Sequence, residues 1–173
     1  MAATFLKAKS YVIGQSLIEH DKLDLATRLM EDMERRGINL RLPVDVVIAD
    51  SLDARASART VPIAEIPPQW QIVDIGPQTV ESFSQELKGC KTVFWNGPMG
   101  IYEIPRFNYG TQAMARLLAG LYATTIFGGG STAEVMTQLK LADKMTFIST
   151  GGGASLRFLS GKALPGVEAL RDK

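Results

Sequence analysis

One cysteine and one histidine occur among the 173 residues. A single cysteine excludes an intramolecular disulfide framework and a cysteine-based zinc site. A single histidine argues against a histidine-rich metal centre and against a histidine-paired thiol nucleophile. Neither sign of charge is in excess: 19 Lys and Arg against 18 Asp and Glu leave a formal net charge of +1. That balance speaks against a basic nucleic-acid surface and against an acidic tail. No apolar run reaches the roughly 18 residues of a membrane span. The first residues, Met1-Ala2-Ala3-Thr4-Phe5-Leu6-Lys7, lack the charged-then-apolar order of a signal peptide. With 46% hydrophobic and 21% charged residues, disorder is not expected either. The expectation is a cytoplasmic globular chain that binds neither nucleic acid nor membrane. What the sequence does hold is glycine, 16 residues of it, several in clusters.

Residues 10–36 read as helical. Ala26, Leu29, Met30 and Met33 fall three and four apart, and Gly37 follows the basic end Arg35-Arg36 as a C-terminal cap. Val44–Ala49 reads as a central strand covered on both faces. Residues 51–68, with Pro62, Pro67 and Pro68, read as a surface excursion holding one short strand at Arg59–Ile63. Gln71–Ile75 is a strand that ends at Gly76-Pro77, and a helix over Thr79–Lys88 stops at Gly89. A repeated beat follows: strand Thr92–Trp95, turn Asn96–Gly100, helix 111–121; strand Ala123–Phe127, turn Gly128–Thr132, helix 132–140; strand Lys144–Ile148, turn Ser149–Gly153, helix Ala154–Ser160. Strand, glycine turn and helix in succession imply an α/β chain: a mainly parallel sheet with helices on both faces, in three layers. Ligands of such sheets bind outside the carboxyl ends of the strands, where all three glycine clusters fall.

A helix N-terminus presents unpaired amides and about half a positive charge. Glycines in front of it let an anion reach the backbone. Gly128–Gly130 and Gly151–Gly153 each place three glycines before a helix, so two such ends can hold a polyphosphate; tight turning is the simpler use of either cluster alone. No G-x-x-x-x-G-K-[ST] occurs, which excludes a P-loop. Gly128-x-Gly130-x-x-Ala133 fits a relaxed dinucleotide fingerprint. The ribose-binding acid expected at the end of the next strand is replaced by Ser149-Thr150, and Asp143 precedes that strand. Ser131 and Glu134 have the spacing of a capping box, while Ser131 can also meet a phosphate oxygen or a water of a bound Mg²⁺. Asn96–Glu103 forms a loop stiffened by Pro98, in which Asn96 brings amide donors and an acceptor, and the two oxygens of Glu103 suit a pair of ribose hydroxyls. His20 and Arg35-Arg36 read as surface, Cys90 as a small buried residue, and Asp74-Ile75-Gly76-Pro77 as a structural turn.

The strings Thr4-Phe5-Leu6-Lys7, Leu42-Pro43-Val44-Asp45, Asp74-Ile75-Gly76-Pro77, Trp95-Asn96-Gly97-Pro98-Met99-Gly100, Phe107-x-x-Gly110-Thr111, Gly128-Gly129-Gly130, Ser149-Thr150-Gly151-Gly152-Gly153-Ala154-Ser155 and Leu164-Pro165-Gly166-Val167 run nearly from end to end. In order and spacing they resemble the phosphoglycerate kinase family. That resemblance implies a Rossmann-like nucleotide lobe, occupying residues 1–173, of a two-lobed enzyme that moves a phosphoryl group between 1,3-bisphosphoglycerate and ADP. The ligand is then Mg-ADP or Mg-ATP, and 3-phosphoglycerate is held only with the other, N-terminal lobe. Met1 matches an internal methionine of the family. The acid-substrate lobe, the first strand–helix unit of the nucleotide lobe and the segment with its phosphate-binding lysine are therefore expected to be missing.

Carried over by position, Asn96 and Pro98 lie near the nucleotide, Ile101 forms an apolar wall and Glu103 is the ribose ligand. Gly128, Gly129, Gly130, Ser131 and Thr132 form the phosphate loop. Gly151, Gly152 and Gly153 face the phosphoryl group in flight, where catalysis is positioning and charge stabilisation. Two departures stand out. Ser131 replaces the family's metal-contacting Asp, leaving at most a contact through water, and Ala3 replaces an Asn. Family members are monomers, and a lone lobe with an uncovered sheet edge is expected to self-associate. The alternatives are an inactive ADP- or ATP-binding module and, more remotely, a dinucleotide-dependent oxidoreductase domain.

Overall fold

The computed structural model describes residues 1–149 and 151–170; Thr150, within the Ser149-to-Ser155 string, lies outside the described residues. The chain divides into two compact units. One comprises Met1–Gln85 and Met99–Thr111, the other Glu86–Pro98 and the residues from Gln112 onward.

In the first unit, helix α1 (Ala2–Ala8) buries Thr4 and Leu6 and packs on helix α2 (Leu23–Arg35). Gly37, at φ 64°, closes α2. Its amide donates to the Glu34 carbonyl at 3.1 Å, and the Ile38 amide donates to Met33 at 2.8 Å, a pairing that needs a left-handed residue. The helix expected over 10–36 is shorter than that. Only a 3-10 turn at His20–Lys22 precedes α2. Ser10, at φ 67°, ends α1, and the Gln15 amide donates to the Trp70 carbonyl at 2.8 Å, which pins the intervening chain in a non-helical path.

Strands β1 (Asp45–Ala49), β2 (Ala58–Pro62) and β3 (Gln71–Ile75) form a sheet of order β2-β1-β3. β1 is central and buried, as its Val/Ile content suggests. Both pairings are antiparallel, which the sequence pattern did not indicate. The connections are loops and a 3-10 turn at Ile63–Glu65, with none of the crossover helix that parallel neighbours require. Val46, Ile48, Val61 and Ile66 fill one part of the core; Ala49, Ala56, Val73 and Phe107 fill another.

Helix α3 (Pro77–Lys88) starts at Pro77, two residues before the expected Thr79, since a proline at the first helical position gives up an amide that has no partner there anyway. The next two amides are met from β1. Asp45, 2% exposed, accepts the Gln78 amide at 3.1 Å and both the amide and the hydroxyl of Thr79 at 2.7 Å. The Thr79 oxygen in turn accepts the amides of Val44 and Asp45 at 3.0 and 3.1 Å.

The second unit carries strands β4 (Thr92–Asn96), β5 (Thr124–Gly128) and β6 (Phe147–Ser149), with helices α4 (Tyr109–Ala119, which begins in the first unit), α5 (Gly130–Gln138), α6 (Gly153–Leu159) and α7 (Pro165–Glu168). The sheet order is β4-β5-β6, parallel throughout. This is the expected α/β, Rossmann-like arrangement, a parallel sheet flanked by helices. Trp95 and Phe127 pack ring to ring at 5.2 Å, and Met114, Leu118, Val135 and Met136 are buried. Cys90 is not a core residue. It sits half-buried in the turn between α3 and β4, its thiol donating at 3.5 Å to the Glu86 carbonyl, which also accepts the Gly89 amide at 3.3 Å. His20 is exposed, as expected.

Asp45→Ala leaves two amides at the head of α3 without an acceptor. It is expected to lower stability by about 2–3 kcal/mol in urea unfolding, whereas Glu31→Ala, on the exposed face of α2, is expected to stay within about 0.5 kcal/mol.

Candidate functional site

The helices differ in how their first amides are met. In the first unit, α3 is closed by the Asp45 carboxylate, and α4 starts under Asp74, whose Oδ2 accepts the Gly110 amide at 2.7 Å. In the second unit, α5 and α6 are preceded by Gly129 and Gly152 at their N-caps, and neither has a side-chain cap. Glycine carries no side chain with which to cap, so the amides behind it stay available. Among the described residues, no acceptor of the chain meets the amides of Gly130 and Ser131 at the exposed start of α5.

Three strand ends lie level beside these helix starts. Asn96 pairs with Gly128, and Gly128 with Ser149. The Gly129 amide donates to the Ser149 carbonyl at 3.0 Å, tying β5 to β6. The Gly97 amide donates to the Thr132 hydroxyl at 3.0 Å, tying the turn after β4 to α5. Trp95 Nε1 donates to the Gly97 carbonyl, bracing the same turn. At Gly129 φ is 103°, a conformation that side chains rarely adopt. A Cβ at Gly128 would come within 2.7 Å of Phe94 Cζ and 3.1 Å of Asn96 Oδ1. Both glycines are therefore required by backbone shape and close packing as well as by any ligand. After β6, the Gly151 amide donates to Ser149 Oγ at 3.2 Å, and Ser149 and Ser155 share a hydroxyl hydrogen bond at 2.8 Å. Gly152 and Gly153 lead into α6.

The sequence-picked residues thus fall into two groups. Asn96, Pro98, Gly128, Gly129, Gly130, Ser131, Thr132, Gly151, Gly152 and Gly153 belong to the second unit. Ile101 and Glu103 belong to the first, on the Met99–Thr111 loop. Thr132 is 1% exposed and its hydroxyl is engaged with Gly97. The capping box read from Ser131 and Glu134 does not form. α5 starts two residues earlier than expected, at Gly130, so Ser131 is already inside the helix and exposed. The Glu134 carboxylate accepts from Gln138 one turn on, at 3.2 Å. No group of three His, Cys, Asp or Glu side chains is placed to hold a metal among the described residues. A cation at this edge would have to arrive with ligands of its own, as a magnesium ion on nucleotide phosphates does.

The Met99–Thr111 loop is held from several sides. The Thr111 hydroxyl accepts the amides of Met99 and Gly100 at 3.0 and 3.3 Å, clipping the loop ends together. The Ile101 amide donates to Val73 at 2.9 Å, and Phe107 is fully buried beneath. Ile101 packs on the Ala49, Ala56, Val73 and Phe107 cluster, while Glu103 is exposed. Asp74, 1% exposed, accepts the Ile75 amide at 2.8 Å and the Gly110 amide at 2.7 Å. Burial pushes its carboxyl up to about 6, although those two amides pull it down. The Asp-Ile-Gly-Pro string was the only sequence signal for this residue, and it reads as a turn. The partner, Gly110, lies 36 positions away, beyond the reach of local patterning.

A family model described as phosphoglycerate kinase matches residues 1–162. The chain is 54% identical over 175 residues to the phosphoglycerate kinase of Synechococcus sp. (strain JA-2-3B'a(2-13)), covering 99% of this chain and 42% of that protein. It is 53% identical to the cytosolic phosphoglycerate kinase of Nicotiana tabacum, covering 99% and 44%. Among solved structures, the phosphoglycerate kinase of Coxiella burnetii superposes with a TM-score of 0.92 at 41% identity, over 96% of this chain and 43% of that one. That of Pyrococcus horikoshii OT3 gives 0.79 at 30% identity, over 98% and 42%. The chain thus spans less than half the length of the relatives it matches.

Because the native carboxyl of Asp74 keeps its proton to higher pH than the unfolded one, its contribution to stability is fully present below about pH 4 and is lost as pH rises towards about 6. Asp74→Asn removes that dependence. The stability of the variant relative to the parent is expected to rise by up to about 3 kcal/mol between pH 4 and 7, read from urea midpoints at several pH values.

Proposed function

The chain belongs to the phosphoglycerate kinase family, and from that membership we propose that it is a nucleotide-binding lobe of such an enzyme, taking Mg-ADP or Mg-ATP. The observation that carries this reading is the level carboxyl edge of β4, β5 and β6, with α5 and α6 starting uncapped behind glycines. The amides of Gly130 and Ser131 meet the nucleotide phosphates, with Gly128 and Gly129 shaping the loop and Thr132 bracing it. Asn96 and Pro98 flank the nucleotide from the end of β4. Ile101 supplies an apolar wall and Glu103 a pair of acceptors for ribose hydroxyls.

The reaction is transfer of a phosphoryl group between the acyl phosphate of 1,3-bisphosphoglycerate and ADP. A terminal oxygen of ADP forms the new bond to phosphorus, and the acyl oxygen leaves as the carboxylate of 3-phosphoglycerate. The Gly151–Gly153 turn stabilises the charge on the group in flight through the amides of Gly152 and Gly153, while the Gly151 amide, held by Ser149 Oγ, shapes the turn. No nucleophilic side chain is needed, which suits a chain whose cysteine lies in a turn before β4. Magnesium belongs to the substrate. Ser131 reaches it through water at most, a weaker hold than a carboxylate gives.

The share of the relatives covered, 42–44%, favours a more limited second reading for the chain by itself: nucleotide binding without turnover, since the acid substrate needs the rest of the enzyme. Family membership favours both readings over an oxidoreductase. No described helix is long and apolar enough to cross a membrane, and the Nicotiana tabacum relative is called cytosolic; a cytoplasmic site of action follows as part of the proposal. Full-length members are taken as monomers. The lone chain is expected to self-associate through an open groove of about 400 Å³ lined by Phe94, Ile126, Phe147, Phe158, Leu159 and Leu164.

Calorimetric titration with Mg-ADP is expected to give saturable binding, and the lone chain is expected to show no phosphoryl transfer until the N-terminal part of a relative is added. Absence of binding refutes the nucleotide reading; a full kinase rate from the chain alone refutes the partial-lobe reading. Ser131→Asp is expected to tighten the magnesium-dependent part of ADP binding by about tenfold, measured with and without the metal.

A further inference from the structure

We propose that Asp74 is a positioning residue that fixes the Met99–Thr111 loop and so aims Glu103 at the nucleotide; the second clause rests on the ribose reading of Glu103 given above. The loop, itself part of the first unit, has a glycine near each end, Gly100 and Gly110, and both face the Asp74 carboxylate. A methyl group added at either would overlap Asp74 Oδ1. Oδ2 accepts the Gly110 amide at 2.7 Å, and Oδ1 is held in place by the Ile75 amide at 2.8 Å. One buried side chain therefore grips the returning end of the loop and leaves room for the departing end only because no Cβ is there. The Thr111 hydroxyl, beside Gly110, then collects the amides of Met99 and Gly100. The two groups that hold the carboxylate, the amides of Ile75 and Gly110, carry no charge.

Burying a carboxyl group for two amides is costly, and the same turn could have been built with a neutral residue. What the carboxylate adds is two strong acceptors at fixed spacing. Asparagine has one acceptor oxygen and places an amino group against the second amide, so Asp74→Asn conserves shape and removes one hold. Glu103 projects from the middle of the loop and is exposed, so its direction is set by the two clipped ends and by buried Phe107.

The test uses the full chain, the variants Asp74→Asn and Glu103→Gln, and the double variant. Amide hydrogen exchange in Asp74→Asn is expected to rise at least about tenfold at Ile101 and Gly110, with Thr124–Gly128 unchanged. Mg-ADP affinity is expected to fall in each single variant, and Asp74→Asn is expected to cost nothing further once Glu103 is changed. Unaltered exchange across the loop, or additive losses of affinity, overturns the proposal. If Asp74→Asn does not fold, the wild-type chain decides: the amide proton resonances of Gly110 and Ile75 move together with a midpoint near pH 6 if the carboxylate grips both, and an unmoved Gly110 resonance overturns the grip. If the parent chain binds no nucleotide, the ribose reading fails, while exchange at Ile101 and Gly110 still decides whether Asp74 holds the loop.

Discussion

The first amides of a helix have no partner in the helix itself, and something must meet them. In this chain that requirement separates structure from function. Asp45 satisfies α3 and Asp74 satisfies the start of α4, both from buried strand positions. These helices are thereby fixed to the antiparallel sheet and offer nothing to an anion. α5 and α6 follow glycines that cannot cap. Among the described residues the amides of Gly130 and Ser131 at the start of α5 have no acceptor, and these helix starts stand at the carboxyl edge of a parallel sheet, where the geometry of the βα unit gathers successive turns.

The two kinds of helix start entail two kinds of glycine. Gly128 and Gly129 are there because Phe94 and Asn96 leave no room and because the backbone turns through a positive φ. Gly100 and Gly110 are there because a buried carboxylate lies against them. A glycine cluster is thus weak evidence of a ligand by itself. It becomes stronger where the following amides lack a partner, as at Gly130 and Ser131, and where neighbouring strand ends are level.

Much of the second unit could be read from the sequence. Each strand is a short apolar run leading into a glycine-bearing turn, and a helix comes next in the chain, at once after β5 and beyond a longer loop after β4, so element type, order and parallel direction all come from local pattern. Boundaries slipped by two or three residues: α4 and α5 begin two residues before the positions expected, and β6 runs over Phe147–Ser149. The first unit was harder. The antiparallel pairing of β1 with β2 and β3 depends on the absence of crossover helices, and residues 10–19 are held out of helix by Trp70, a contact across the unit. The capping box failed for a local reason, since α5 begins at Gly130 and Ser131 is a helical residue rather than the cap. The capping roles of Asp45 and Asp74 left no mark in the sequence because the helix amides they accept are more than 30 residues away, and because a lone Asp at a strand end has no periodic signature.

The account stands or falls on which backbone amides an adenine nucleotide touches. Nuclear magnetic resonance of the isotope-labelled chain, titrated with Mg-ADP, reads this amide by amide. Saturable shifts are predicted at Gly130 and Ser131, with the carboxylate-capped amides of Gln78 and Thr79 unmoved. Resonances at Gly130 and Ser131 that stay in place at saturating nucleotide, or shifts confined to the head of α3, would contradict it.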